Sequence, residues 1–89
     1  MKIKLELFGS SRDFSDKDHL ELDVQDKASI DDLRNEIIKY INKNFRGNEA
    51  FIKIVKSSAF CSENNEIISD NYKITKDQKI GIIPPIGGG

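Results

Sequence analysis

The spacing of hydrophobic residues changes near Ser29, from every second residue to about every 3.6 residues, and this change limits the folds that the chain can adopt. Apolar residues alternate with charged ones from Lys2 to Leu7 and again from His19 to Val24, as in strands with one face in water. A helical stripe follows Ser29; its members are Ile30, Leu33, Ile37 and Ile41, with Ile38, Tyr40 and Phe45 at its flanks. The pattern predicts a β-hairpin followed by one amphipathic helix that covers a sheet.

Both ends of this helix carry their own sequence signals. Ser29 is a predicted N-cap, and Asp31 and Asp32 in the first turn favour the positive end of the helix dipole. Gly47 and Asn48 supply the predicted stop. We therefore assign the stripe to the hydrophobic core and not to a cofactor site.

The second half of the chain is typical of strands, except in one segment. Residues 51–58 fit a strand or a short helix about equally, and both interpretations stay open. Residues 59–61, 63–66 and 67–68 predict a strand, a turn and a strand. Residues 79–83 form a nearly unbroken apolar run, as in a strand buried on both faces at the middle of a sheet. The order of elements predicts an α+β fold, a single β-grasp domain like ubiquitin, with the terminal strand beside the first in a mixed sheet under one main helix.

A proline pair and three glycines end the chain at residues 84–89. Pro84 and Pro85 fix φ and remove two backbone donors, so they end a strand ladder and direct the chain outward. The carboxyl carbon of Gly89 is free of side-chain crowding, so an enzyme could bring ATP against it. Glycine-rich ends are also common as frayed termini, but a strand followed by Pro-Pro favours a tail that is used. We divide the chain into a domain at residues 1–83 and a tail at residues 84–89.

Composition excludes several classes of function. The 89 residues describe one small domain, and 14 basic against 15 acidic residues lack the charge expected of a nucleic-acid binder. No apolar run reaches the length of a membrane span. The single cysteine, Cys61, cannot form an internal disulfide, and we interpret it as a small buried residue without chemistry. We expect a cytoplasmic protein that binds neither nucleic acid nor membrane.

A family resemblance rests on both ends of the chain. Residues 80–89, Ile-Gly-Ile-Ile-Pro-Pro-Ile-Gly-Gly-Gly, resemble the ending of the molybdopterin synthase small subunit, the MoaD-type branch of the MoaD/ThiS ubiquitin-like sulfur carriers. Leu7 to Asp13 is similar to the first strand and the following loop of that family. Gly87 stands where the family usually has Ser, Ala or Thr. The resemblance covers essentially the whole chain, although the middle matches in pattern more than in identity.

The resemblance implies a carrier chemistry at Gly89. An adenylating enzyme of the MoeB type would activate this glycine with ATP, and a persulfide donor would convert it to a thiocarboxylate. The tail would then enter the active site of a MoaE-type large subunit, within a heterotetramer, and give sulfur to the cyclic pyranopterin precursor of the molybdenum cofactor. The inserted residues would be Pro84, Pro85, Ile86, Gly87, Gly88 and Gly89. On this view the chain is a cosubstrate with no catalytic acid or base, no metal site and no bound cofactor of its own.

The resemblance also implies a docking surface beside the tail. Phe8, Ile67 and Ile83 fall on positions that form a hydrophobic patch in such carriers, and Arg12 adds an electrostatic contact. The alternative is that Phe8 and Ile67 simply complete the core.

Two other functions stay open at this stage. The carrier could serve thiamine, tRNA thiolation or cysteine synthesis, or be conjugated to proteins, because all of these use similar tails. A non-covalent β-grasp interaction module with an inert tail is the third hypothesis. Deleting Gly88 and Gly89 distinguishes it, because such a module would keep its binding.

Overall fold

The computed structural model describes residues 1–85 of the chain, which contain seven strands, two α-helices and one 3-10 helix. In chain order these are β1 (Lys2–Leu7), the 3-10 helix (Gly9–Phe14), β2 (His19–Asp23), β3 (Ala28–Ser29), α1 (Ile30–Asn44), α2 (Glu49–Ser57), β4 (Ala59–Cys61), β5 (Ile67–Ile68), β6 (Lys73–Ile74) and β7 (Gln78–Ile83). No helix within these 85 residues is long and apolar enough to cross a lipid bilayer.

Five strands form one mixed sheet in the order β2-β1-β7-β4-β5. β1 pairs antiparallel with β2 and parallel with β7, so Leu5 lies between Leu20 and Ile80. β4 pairs antiparallel with both β7 and β5. The predicted hairpin and the predicted central position of the last strand are therefore both confirmed, and the chain has the α+β, ubiquitin-like β-grasp fold.

α1 covers one face of this sheet and supplies four of the sixteen buried residues that form the hydrophobic core within residues 1–85. Its stripe Ile30, Leu33, Ile37 and Ile41 is fully buried against Ile3, Leu5, Leu7, Phe60, Ile80 and Ile82 of the sheet. The predicted N-cap is confirmed, because Ser29 and Asp32 form a capping box in which each side chain accepts a hydrogen bond from the other residue's backbone N–H. The helix ends before Gly47, whose φ of +68° suits a residue without Cβ.

The segment that the sequence left undecided is a helix, α2. Asn48 starts it by accepting a hydrogen bond from the backbone N–H of Phe51 at 3.1 Å. The Arg34 guanidinium from α1 closes its other end by donating to the carbonyl oxygens of Val55 at 2.7 Å and Ser58 at 2.9 Å. A side chain distant in sequence thus stabilises the helical alternative.

The pair β3 and β6 forms a separate two-stranded sheet that the sequence pattern did not indicate. Each strand has two residues, Ala28–Ser29 and Lys73–Ile74, which is too short to display a period.

Candidate functional site

The tail leaves the domain from the centre of the sheet. β7 pairs with β1 up to Ile82 and with β4 up to Ile83. Pro84 then lies buried and Pro85 exposed, so the chain passes from core to solvent within one residue. A proline lacks the N–H that a further ladder bond needs, which explains why the strand stops here. Of the tail residues named from the sequence, Pro84 and Pro85 are observed, and Ile86, Gly87, Gly88 and Gly89 lie outside the described residues.

The loop after β1 flanks the exit of the tail. Gly9 has a φ of +57°, a left-handed conformation that favours glycine. A Cβ placed on Gly9 would lie 3.9 Å from both Cγ and Cδ of Pro84, so the proline ring is in van der Waals contact with this point of the loop. The strand end and the loop therefore form one surface around Pro84.

Two hydrogen bonds fix the 3-10 helix that follows Phe8. The buried Ser11 hydroxyl donates to the Phe8 carbonyl oxygen at 2.6 Å. The Tyr40 hydroxyl of α1 donates to the Phe14 carbonyl oxygen at 2.7 Å. Burial raises the pKa of the Tyr40 phenol, which keeps this donor protonated. Both ends of the segment are thus anchored, and Arg12 lies exposed on it, at the position that the sequence suggested.

Three of the four predicted docking residues, Phe8, Ile67 and Ile83, lie on the face of the sheet opposite α1. Because Ile80 and Ile82 point toward α1, their neighbours Gly81 and Ile83 point to the opposite, outer face. Cross-strand partners point to the same side of a sheet, so Ala59 and Cys61 of β4 and Ile67 of β5 also lie on this outer face. We define the tail-side patch as Phe8, Ala59, Cys61, Ile67, Gly81 and Ile83.

The tail-side patch contains both large exposed apolar side chains found among residues 1–85. Phe8 is 45% exposed and Ile67 is 67% exposed, whereas Ile83 is half-buried. The two residues therefore do not complete the core, which was the alternative that the sequence left open. Adjacent apolar side chains in water are a feature of surfaces that meet a partner.

Gly81 is a part of the patch that the sequence analysis missed. A Cβ at Gly81 would lie 2.8 Å from Cε2 of Phe8 and 2.8 Å from Sγ of Cys61, closer than real Cβ atoms come. The absence of a side chain at Gly81 therefore lets the Phe8 ring lie across β7 and next to the buried Cys61. The burial of Cys61 agrees with its interpretation as a small buried residue.

The other half of the outer face is charged. Lys4, Glu6 and Lys79 lie there, and the Lys79 ammonium is 3.2 Å from a carboxylate oxygen of Glu6. Because Glu6 is the cross-strand partner of Gly81, the charged part of the outer face directly borders the tail-side patch. A partner that docks on the tail-side patch meets this ion pair at its rim, where charges set orientation more than affinity.

Comparison with known proteins gives the family. The sequence pattern of the ThiS family matches residues 5–89, which is nearly the whole chain. This chain belongs to the ThiS family. The family is one of ubiquitin-like sulfur carriers, in agreement with the β-grasp fold and with the resemblance to MoaD/ThiS carriers. No curated protein matches the sequence significantly.

Several solved structures share this fold. A putative molybdopterin converting factor, subunit 1, from Pyrococcus furiosus has a TM-score of 0.69 and 22% identity, covering 96% of this chain and 98% of that chain. SAMP1 from Haloferax volcanii has a TM-score of 0.68 and 14% identity, covering 100% of both chains. The Caldiarchaeum subterraneum ubiquitin has a TM-score of 0.60 and 18% identity, covering 100% of this chain and 98% of that chain. At these identities the likeness establishes the fold alone.

Proposed function

We propose that this ThiS-family chain is the small subunit of a molybdopterin synthase and carries sulfur on its C-terminal glycine in the cytoplasm, where ATP is available. The observation that carries the proposal is the exit of the tail. A central strand ends at Pro84 and Pro85, beside an exposed apolar patch, with a diglycine carboxylate four residues further along the sequence. This exit supports a function in which a partner docks on the patch and acts on the tail.

The proposed chemistry begins at the Gly89 carboxylate, which is a poor electrophile at neutral pH. A MoeB-type partner joins this carboxylate to AMP from ATP and releases pyrophosphate. The terminal sulfur of a persulfide attacks the acyl carbon and displaces AMP, and a second thiol cleaves the resulting acyl disulfide to leave a thiocarboxylate. Inside a MoaE-type large subunit this group gives its sulfur to the cyclic pyranopterin precursor. Each tail carries one sulfur, so a dithiolene requires two deliveries.

In this proposal the chain contributes recognition and reach, and the partner enzymes contribute the catalytic groups. Phe8, Ile67 and Ile83 of the tail-side patch dock on the partner, and Arg12 offers it a positive charge. Removing the exposed parts of Phe8 and Ile67 from water stabilises a complex by roughly 2 to 3 kcal/mol in total. The same surface serves the adenylating enzyme and the large subunit in turn, because both must reach the same carboxylate.

The choice of the molybdopterin pathway rests on the spacer. Pro84-Pro85 before a small residue and a diglycine resembles the ending of the molybdopterin synthase small subunit. The likeness to a putative molybdopterin converting factor subunit across 96% of the chain supports this choice.

The carrier chemistry is tested by the intact mass of the chain purified from its native host, on a Cys61→Ala background. We expect a species in which one oxygen is replaced by sulfur and which N-ethylmaleimide alkylates without Cys61. The species should disappear when Gly88 and Gly89 are deleted. If neither adenylate nor thiocarboxylate forms even with ATP and the activating enzyme supplied, the carrier function is refuted and a non-covalent interaction module remains.

The pathway needs a second assay, because a thiocarboxylate defines a chemistry and not its acceptor. The thiocarboxylate form is mixed with the large subunit and the cyclic pyranopterin precursor, and dithiolene formation is measured. Ile67→Ala should weaken capture by the large subunit. Ile52→Ala, which shortens a partly buried side chain on α2 outside the tail-side patch, is the matched control and should not. A thiocarboxylate that forms normally and never reaches the pterin refutes the pathway and leaves thiamine, tRNA or cysteine synthesis.

Protein modification is the second candidate function. It is favoured by the likeness to SAMP1 and to a ubiquitin, each covering 100% of this chain. In that case the activated Gly89 carboxyl forms an amide with a lysine of another protein. Conjugates of higher mass, absent when Gly88 and Gly89 are deleted, would support this function.

A further inference from the structure

A second binding surface lies at the opposite edge of the sheet from the tail-side patch, along β2. β2 is the outermost strand of the sheet. Val24 and Met1 exchange two backbone hydrogen bonds, and the Leu7 N–H donates to the carbonyl oxygen of Asp18. These bonds show that every second residue from Asp18 to Val24 directs its backbone groups toward β1. By that alternation the N–H and C=O groups of residues 19, 21 and 23 point away from β1. None of these six backbone groups has a hydrogen-bond partner among residues 1–85.

The two sides of this edge differ in chemistry. Glu21 and Asp23 present exposed carboxylates on the outer face. Their cross-strand partners Lys4 and Lys2 form no ion pair with them within 4.0 Å. In the part of the chain that the structure describes, the one contact of either carboxylate with a basic group is that of Glu21 Oε1 with His19 Nε2, at 3.9 Å. On the inner face the edge continues into a groove between the end of β2 and α1. The groove is lined by Val24, Ala28 and Ile38 and bordered by charges of both signs, Asp26, Lys27 and the ion pair of Glu36 with Lys39.

The charges of this edge select its occupant. A second copy of the chain, paired antiparallel through β2, would place Glu21 opposite Glu21, and like charges directly opposite are destabilising. On the outer face, basic residues of β1 lie beside acidic residues of β2. A strand added next to β2 continues this alternation of charge if it carries lysine or arginine on that face. The other side of the added strand faces Leu22 and the groove beside Ile38. Because these side chains are apolar, the added strand requires aliphatic residues there.

We propose that the β2 edge binds an extended segment of another protein in which basic and aliphatic residues alternate. Three residues of β2 supply the backbone hydrogen bonds, and side-chain pockets on the two faces supply specificity, which is the mode of strand addition to a sheet edge. The occupant is a polypeptide because the free groups are alternating backbone donors and acceptors. This proposal is independent of the sulfur-carrier function, since it uses neither the tail nor the tail-side patch.

The test is a titration of the full isotopically labelled chain with the peptide Gly-Lys-Val-Lys-Val-Lys-Gly, followed by amide chemical shifts. We expect the largest changes at His19, Glu21 and Asp23, with smaller ones near Ile38. A peptide with glutamate in place of lysine should not bind. A lysine peptide N-methylated at the amides that face β2 keeps its charge and loses its donors, and it should not bind either.

A matched pair of variants locates the charge effect. Glu21→Lys should weaken binding about fivefold, because an attractive surface pair becomes a repulsive one. Glu66→Lys makes the same charge change at an exposed position before β5 and should leave the affinity unchanged. The proposal is overturned if both variants weaken binding equally, if the N-methylated peptide binds as well as the parent, if the shifts map to β4 and β5, or if the parent peptide causes no shifts.

Discussion

Gly81→Ala is a direct test of how the tail-side patch is built. The added methyl group would lie 2.8 Å from Sγ of the buried Cys61 and 2.8 Å from Cε2 of Phe8. Overpacking of this kind costs about 1 to 3 kcal/mol. Alanine also restricts the unfolded chain more than glycine does, and this raises the free energy of unfolding by about 0.5 to 1 kcal/mol. We therefore expect the substitution to lower the free energy of unfolding by about 1 kcal/mol.

A double-mutant cycle with Cys61→Ala shows whether the sulfur is the cause. Removing Sγ opens the space that the new methyl group needs, and the half-exposed Phe8 ring can shift outward. In that background Gly81→Ala should be neutral or stabilising by about 0.5 kcal/mol, which gives a favourable coupling of about 1 to 1.5 kcal/mol. The free energies come from urea unfolding of the four proteins. Additive effects within about 0.5 kcal/mol would refute the reasoning, because the alanine would then not meet Cys61.

Three further expectations concern the packing around α1. Arg34→Leu should cost about 2 kcal/mol in urea unfolding because two carbonyl oxygens lose their donor, whereas Asp70→Asn, at the exposed end of the same network, should cost less than about 1 kcal/mol. Tyr40→Phe should cost about 1 kcal/mol by the same measurement and should increase amide exchange in the 3-10 helix. Hydrogen bonds from the Ser29 backbone N–H, and next from its side chain, hold the pKa of Asp32 below its ordinary value. The stability that this carboxylate contributes is therefore present at neutral pH and lost as the pH falls through its folded-state pKa, so the difference between wild type and Asp32→Asn should shrink to zero in acid unfolding experiments.

The sequence predicts those parts of the fold whose signals are local. β1 and β2 alternate with period two, α1 carries a stripe and a cap at Ser29, and the last strand is apolar throughout, so their order was enough for the β-grasp topology. α2 could not be assigned because its apolar residues fit two periods. The bonds from Arg34 to Val55 and Ser58 that close the helix span more than twenty positions of sequence, and no local pattern encodes them.

The candidate site likewise contains residues that the sequence alone indicates and residues that only the structure reveals. Pro84 and Pro85 mark the exit of the tail in the sequence itself, because proline acts on its own backbone. Gly81 gives no such signal, because its role is defined by Phe8, which follows β1, and by Cys61 on β4. A glycine in a strand suggests close approach of another group, and that hint could have indicated the position but not its partners.

The sheet order decides whether two partners can bind at once. β2 and β5 are the two edges of the sheet, and the tail leaves from β7 at its centre. A partner on the tail-side patch covers Phe8 and Ile67 and leaves the β2 edge in water. Because the ion pair of Glu6 and Lys79 and the lysines of β1 separate the two surfaces, a strand added at Glu21 need not displace an enzyme that acts on the tail. If the basic segment belonged to that enzyme, its binding at β2 would raise the effective concentration of the tail at the enzyme without a new contact to the tail.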